Sequence, residues 1–318
     1  TPPKMDLIKY VRDFNPNLVL GMGGYASLDV CKSASYIIDH EDSDDHFMMQ
    51  NEITPFIAIQ EQNSKAGRAN KYIAMWRARA VIEGFPDAFD WKTRFFQTSN
   101  DELIFLGNPV RNEILNVSRK VRSYNEYSKN LRILVLGGSQ GARSINYAIP
   151  EAIKKLSSEM NIEVIHQTGE LDYQDIYQIY KENKSSADIF PFIKDMAQAY
   201  EWADLVIGRS GAMTVSELSA IGMPSILIPY PHAMDNHQLF NARFLEEKKA
   251  TVVIDEKQLN PQHLAEIIKK IISNDGILKD MADSAFDQTF VNATENITQF
   301  CYKMIEKTLL ITSINEPG

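Results

Sequence analysis

From residue 131 to residue 254 short apolar runs alternate with amphipathic stretches, and no other feature limits the fold as tightly. Leu131 to Leu136, apolar apart from Arg132, reads as a strand, and further strands are expected near 162–166, 187–190, 204–208, 225–229 and 251–254. Helices are expected between them, near 143–157, 172–182, 195–202, 214–221 and 236–247. Strands covered on both faces by crossover helices read as near-continuous apolar runs. Strict alternation of β and α therefore predicts a doubly wound parallel sheet of the α/β class. Ligands of such sheets bind beyond the carboxyl ends of the strands, so the turns at those ends are the places to look for chemistry.

Three of these turns carry a pattern. After the strand at 204–208 come Ser210, Gly211 and Ala212, and the spacing of Val215, Leu218 and Ile221 predicts a helix from Thr214. Unpaired N–H groups and the helix dipole suit a phosphate there. Ser210, Thr214 and Ser216 can add hydroxyls, and the carboxylate of Glu217 can accept from a sugar diol. The plainer reading is a strand–turn–helix capped by Ser or Thr, with Glu217 as a dipole partner. After Leu136 the order Gly137-Gly138-Ser139-Gln140-Gly141-Ala142 lets a ligand approach the backbone, and Ser139 can donate to a phosphate oxygen. It is neither the dinucleotide fingerprint nor a Walker A loop: no Gly-Lys-Ser/Thr follows, and position 161 is Asn where a ribose-binding acid would stand. The third turn, Pro229-Tyr230-Pro231-His232, precedes Gln238 and Asn241. Three residues apart on a helix, these amides share one face, to read sugar hydroxyls or merely to face solvent.

The amino-terminal half has weaker signals. Helices are expected over 4–14, 27–38 and 67–79, and strands at 18–22, 56–59, 81–82 and 104–106. Residues 40–52, HEDSDDHFMMQNE, read as an acidic surface excursion, and 262–309 as three helices. Polar residues 118–130, with Arg119, Lys120, Arg122 and Lys129, read as a linker. A chain of 318 residues suits two domains. Its net charge of −9 argues against a general nucleic-acid binder. Cys31 and Cys301 stand in no metal-ligand spacing and read as free thiols in a reducing compartment. No metal site is expected from the histidines either. No apolar run approaches 18 residues and no signal peptide is read; because residue 1 is Thr, the natural start is expected upstream.

Taken in order, LVLGMGGYAS, EQNSKAGRANK, FLGNPVR, ILVLGGSQGARSIN, HQTG, the long stretch from Phe192 to Glu247, and DMADSA with NATENI resemble the MurG family of N-acetylglucosaminyltransferases. The resemblance spans residues 18–297. It implies a GT-B fold, with two Rossmann-like α/β domains facing a cleft. It also implies a metal- and cofactor-free transfer of N-acetylglucosamine from UDP-N-acetylglucosamine to the C4 hydroxyl of lipid I. Its partners would be that donor, the undecaprenyl-diphosphate-linked acceptor and the cytoplasmic face of the bacterial inner membrane, where the protein would sit peripherally. A basic-aromatic contact with headgroups is read at Lys71, Trp76, Arg77 and Arg79, beside the plainer reading of a core-facing amphipathic helix.

Position by position, the resemblance implies donor-binding roles for Asn63, Arg111, Ser139, the backbone at Ile193, the loop Ala212, Met213, Thr214, Val215, Ser216 and Glu217, and the amides Gln238 and Asn241. Glu217 would hold the ribose and the two amides the sugar. Expected domains are 1–117 on the acceptor and membrane side, a linker at 118–130 and a donor domain at 131–295, with a final helix at about 296–318 packing back on the first. The family's opening Gly-Gly-Thr-Gly-Gly-His loop has no counterpart here, so the first domain is expected to be truncated and the resemblance names no catalytic base. Gln60 stands where the family usually has His. Two other readings are a UDP-N-acetylglucosamine-binding protein without turnover and a UDP-N-acetylglucosamine 2-epimerase.

Overall fold

A computed structural model describes residues 4–39, 55–89, 102–117, 130–138, 141–273 and 276–314. The acidic stretch 40–52, residues 118–129 of the expected linker, and Ser139 lie outside the described residues. The chain divides into two compact units, one of residues Thr1–Asn108 with Asn292–Gly318, the other Pro109–Val291.

The first unit holds helices α1 (Met5–Phe14), α2 (Gly24–Asp39) and α3 (Arg68–Trp76) and strands β1 (Leu18–Gly21), β2 (Phe56–Glu61), β3 (Ala80–Glu83) and β4 (Glu102–Phe105). The strands form a parallel sheet in the order β1-β2-β3-β4. Every residue of β2 is buried, because the sheet is covered on both sides. Alternate side chains serve opposite faces. Ile57 and Ile59 join Val81 under α1, α2 and α3, with Ile8, Val11, Ala34, Ile37 and Ile73. Phe56, Ala58, Ala80 and Ile82 look the other way and meet Ile297, Phe300 and Met304. Those three lie on a long carboxy-terminal helix, Ala293–Ile314, which packs on this face of the sheet.

Between Pro109 and Val291 the described elements are α4 (Asn112–Leu115), β5 (Asn130–Leu136), α5 (Arg143–Leu156), β6 (Asn161–Gln167), α6 (Tyr173–Asn183), β7 (Ser186–Phe190), α7 (Met196–Trp202), β8 (Leu205–Gly208), α8 (Ala212–Ile221), β9 (Ser225–Leu227), α9 (His237–Glu247), β10 (Thr251–Val253), α10 (Pro261–Ile272), α11 (Ile277–Ala285) and α12 (Gln288–Val291). The carboxy-terminal helix above is then α13. The sheet is parallel, in the order β10-β9-β8-β5-β6-β7. Chain direction across the sheet reverses between β5 and β8, which pair from Ile133↔Leu205 to Leu136↔Gly208. A doubly wound sheet opens a crevice at such a reversal. At the other end of the pair, the buried Asp204 carboxylate accepts from the N–H of Arg132 at 3.0 Å and from its guanidinium at 2.9 and 3.2 Å.

Three expectations shift. The boundary between units falls at Asn108/Pro109 rather than at 117, because α4 packs on α7 and α8 of the second unit. The helix expected from Thr214 begins at Ala212, since Gly211 adopts the extended N-cap conformation. The stretch expected to form three helices near the carboxyl end forms four, α12 being a single short turn set off by Asp287, whose carboxylate accepts the N–H of Thr289.

Candidate functional site

At the carboxyl edge of the second sheet, the turns after β5 and β8 bound a cleft of about 550 Å³ whose walls include Gly138, Gly141, Ser144, Arg209, Thr214 and Gln238. Both turns feed directly into helices. The N-cap residues, Ala142 for α5 and Gly211 for α8, make no side-chain cap. In α8 the first intrahelical bond runs from the Val215 N–H to the Gly211 carbonyl, so the N–H groups of Ala212, Met213 and Thr214 precede the ladder. Two helix N-termini without side-chain caps thus border one cleft, an arrangement suited to a polyanion.

Ser and Thr do not cap this turn. Ser210 Oγ donates to the Gln238 carbonyl at 2.8 Å, and Ser216 Oγ turns back to the Ala212 carbonyl at 2.8 Å. Ser216 and Val215 are fully buried, backbone included, so neither is exposed to the cleft. Thr214 lines the cleft, and Met213 is partly exposed. Arg209 braces the turn: it donates to the carbonyls of Ile228 and Pro229 and to Ser144 Oγ, and it pairs with Glu256.

The amide pair divides. Gln238 Oε1 accepts the N–H of Tyr230 at 2.9 Å, and its residue lines the cleft. Asn241 is wholly buried, and its Nδ2 donates to the Ser210 carbonyl at 3.2 Å. It fixes the turn from behind. Sharing a face at three-residue spacing did not make both solvent-facing, because that face of α9 packs against α8.

Glu217 gathers residues that sequence spacing does not link. Its Oε1 accepts from Arg111 Nη2 at 3.2 Å, and its Oε2 accepts from Tyr200 OH at 2.9 Å. Arg111 lies at the N-cap of α4, Tyr200 in α7 and Glu217 in α8. Burial, and then the neighbouring Glu217 carboxylate, push the Tyr200 phenol well above its usual range, so it stays a donor.

Beneath the first turn lies a buried network. Asn146 Nδ2 donates to the Thr168 carbonyl and to Asp172, each at 2.8 Å. Its Oδ1 therefore faces His166 Nε2 at 3.1 Å and accepts from it, while Tyr180 OH donates to His166 Nδ1 at 3.1 Å. Burial lowers the His166 pKa to about 3, which keeps the ring neutral. Against this floor Gly141 fits only without a side chain. Gly141 has φ +78°, and a Cβ there would lie 2.6 Å from the Thr168 carbonyl. At the same edge Gln167 Oε1 accepts the N–H of Ile193 at 2.9 Å, fixing the backbone at a predicted site residue.

Asn63 belongs to the other unit. Its N–H and Nδ2 donate to Glu61 Oε1 at 2.9 and 3.2 Å, while Glu61 Oε2 accepts from Gly67 N–H and Asn70 Nδ2. Gln60, in place of the family's His, donates to Asn108 Oδ1 at 2.7 Å. Among the described residues no group of His, Cys, Asp and Glu is placed to hold a metal ion, and no helix is long and apolar enough to cross a membrane.

Sequence reasoning missed Tyr200, Arg209, Gln167 and the His166–Asn146 pair. Arg209 stood legibly between an apolar strand and a small-residue turn, where a long donor has few places to go. Nothing local marked Tyr200.

The comparisons agree with this geometry. Residues 132–297 match the Glycosyltransferase family 28 C-terminal domain. A UDP-N-acetylglucosamine–N-acetylmuramyl-(pentapeptide) pyrophosphoryl-undecaprenol N-acetylglucosamine transferase of Coxiella burnetii is 38% identical over 295 residues, 93% of this chain and 75% of that protein. The crystal structure of Acinetobacter baumannii MurG superposes with a TM-score of 0.74 at 27% identity, over 93% of this chain and 76% of that one. A Neisseria meningitidis UDP-GlcNAc 2-epimerase bound to UDP-GlcNAc reaches a TM-score of 0.60 at 14% identity, covering 94% and 79%, a likeness of fold alone. The fold is of the GT-B class, and the chain belongs to the MurG family of glycosyltransferases.

Proposed function

We propose that the cleft at β5 and β8 binds the diphosphate of UDP-N-acetylglucosamine, and that the chain transfers its sugar to lipid I as the family does. The observation that carries this reading is the pair of helix N-termini without side-chain caps bordering one cleft. The N–H groups at 212–214 stabilise the leaving diphosphate in place of a metal ion, with Ser139, outside the described residues, assigned the same task. Glu217 takes the ribose hydroxyls and Arg111 the diphosphate charge. With its N–H held by Gln167, Ile193 meets the base through its carbonyl. Gln238 orients the sugar, while Asn241 acts through the turn it holds. Asn63 is assigned to the donor on the family resemblance. The acceptor hydroxyl attacks the anomeric carbon in line, UDP leaves from the opposite face, and the configuration inverts.

The protein works peripherally, on the cytoplasmic face of the membrane. On α3, Tyr72 and Met75 are exposed next to Lys71, which supports the headgroup reading; the Trp76 side chain lies outside the described set. Calorimetric titration with UDP-N-acetylglucosamine, paired with turnover of lipid I, tests the assignment. Binding with transfer is expected. Binding without transfer supports a donor-binding protein, and release of a C2 epimer from the donor alone supports the epimerase reading.

A further inference from the structure

Glu217 is held from two sides that differ in kind. The Tyr200 hydroxyl reaches Oε2 at 2.9 Å from a side chain with no solvent exposure, whereas Arg111 reaches Oε1 at 3.2 Å from a side chain that is 53% exposed. One bond belongs to the core and the other to the surface. A carboxylate offers about four lone-pair positions. A vicinal diol needs one position on each oxygen, presented at a fixed tilt. The buried bond sets that tilt, since a phenol on a packed ring has few rotamers and its one proton is committed to Oε2. The surface bond is the one that water or a hydroxyl can replace.

We propose that Tyr200 is the positioning residue for Glu217: its hydroxyl fixes the carboxylate in the orientation that reads the ribose diol of the donor, and Arg111 holds the diol's place until the donor arrives. The inference rests on the assignment of Glu217 to the ribose. Displaced by the diol, the Arg111 guanidinium is released toward the diphosphate, so ribose recognition and phosphate recognition occur together. Tyr200 touches no substrate; its contribution is selectivity for a ribose over a 2′-deoxyribose.

The test is calorimetric titration of the full chain and of Tyr200→Phe with UDP-N-acetylglucosamine and with its 2′-deoxyuridine analogue, with melting temperatures measured alongside. Hydrogen bonds to a charged group are worth about 1.5–3 kcal/mol, roughly a 10- to 100-fold effect. The full chain should prefer the ribose form by about 10-fold or more. Tyr200→Phe should lose most of that preference, weakening ribose-donor binding while leaving the deoxy analogue within about twofold. A variant that weakens both donors equally, or neither, overturns the inference while the donor assignment stands. A full chain that binds the two donors alike, or neither, overturns the assignment of Glu217 itself. If Tyr200→Phe is too unstable to titrate, Glu217→Asp withdraws the carboxylate by one methylene with its charge kept. Loss of the ribose preference is expected there, and full retention overturns the proposal.

Discussion

His166 converts the buried network under the first glycine-rich turn into a measurable pH dependence. Its ring is enclosed completely, and burial sets its pKa at about 3 against about 6.5 in an unfolded chain. The folded value lies below the unfolded one. Its contribution to stability is therefore intact above pH 6.5 and is lost as pH falls toward 3, because the unfolded chain takes a proton that the native ring refuses. Below pH 6.5 the slope approaches about 1.4 kcal/mol per pH unit, so between pH 7.5 and 4.5 His166 alone removes about 3 kcal/mol. The assay is urea unfolding of the parent and of His166→Gln at several pH values across that range. Glutamine keeps a donor toward Asn146 but does not titrate. It costs a fixed amount at neutral pH, and the stability difference from the parent should then shrink by about 3 kcal/mol at pH 4.5. Carboxylates shared by both proteins cancel in that difference to first order. A difference constant across the range would mean that the native ring is protonated or wet, and the neutral network described above would be wrong.

Four other outcomes are expected. Gly141→Ala places a Cβ 2.6 Å from the Thr168 carbonyl at φ +78° and should cost about 1–3 kcal/mol in thermal unfolding while weakening UDP binding; wild-type values in both would contradict the fit of the turn. Glu217→Ala should raise the donor KM by about 10- to 100-fold, and an unchanged KM in steady-state transfer assays removes Glu217 from the donor site. Asp204→Ala leaves the Arg132 guanidinium and N–H without their acceptor at the head of β5, and urea titration should register a loss of about 1–3 kcal/mol. Phe300→Ala opens the face built on Phe56 and Ile82, and a loss of about 3–5 kcal/mol is expected in the unfolding of the first unit.

The strand pattern was legible because both faces of each sheet are covered: β2 and β8 are buried throughout, and apart from Gln60, Glu61 and Gly208 they consist of Ile, Val, Leu, Phe and Ala. Helix starts were less so. The expected start at Thr214 followed the apolar period, but an N-cap is set by backbone conformation, and Gly211 supplies it four residues before the first buried side chain of α8. Individual side chains near the cleft were readable as chemistry and unreadable as partners. Ser216 and Asn241 look like surface donors in sequence, yet one bonds its own helix and the other the turn beside it. Glu217 meets Arg111 across 106 residues of chain, a pairing that no local spacing encodes. The unit boundary escaped notice for a related reason: composition shifts at the polar stretch, but α4 had already joined the second unit through its packing.

The return of the last helix to the first unit has a consequence for synthesis. A ribosome delivers domains from the amino end, and most can fold as they emerge. Here the sheet of β1 to β4 can gather only one of its two apolar faces at that stage. Phe56, Ala58, Ala80 and Ile82 wait for Ile297, Phe300 and Met304. Residues 109–291 must come out in between, and at about 5–20 residues per second their translation takes about 10–40 s. This face of the first unit is thus covered late, after the second unit has had time to form. Through that interval the nascent chain carries an uncovered apolar sheet face, a ready ligand for chaperones.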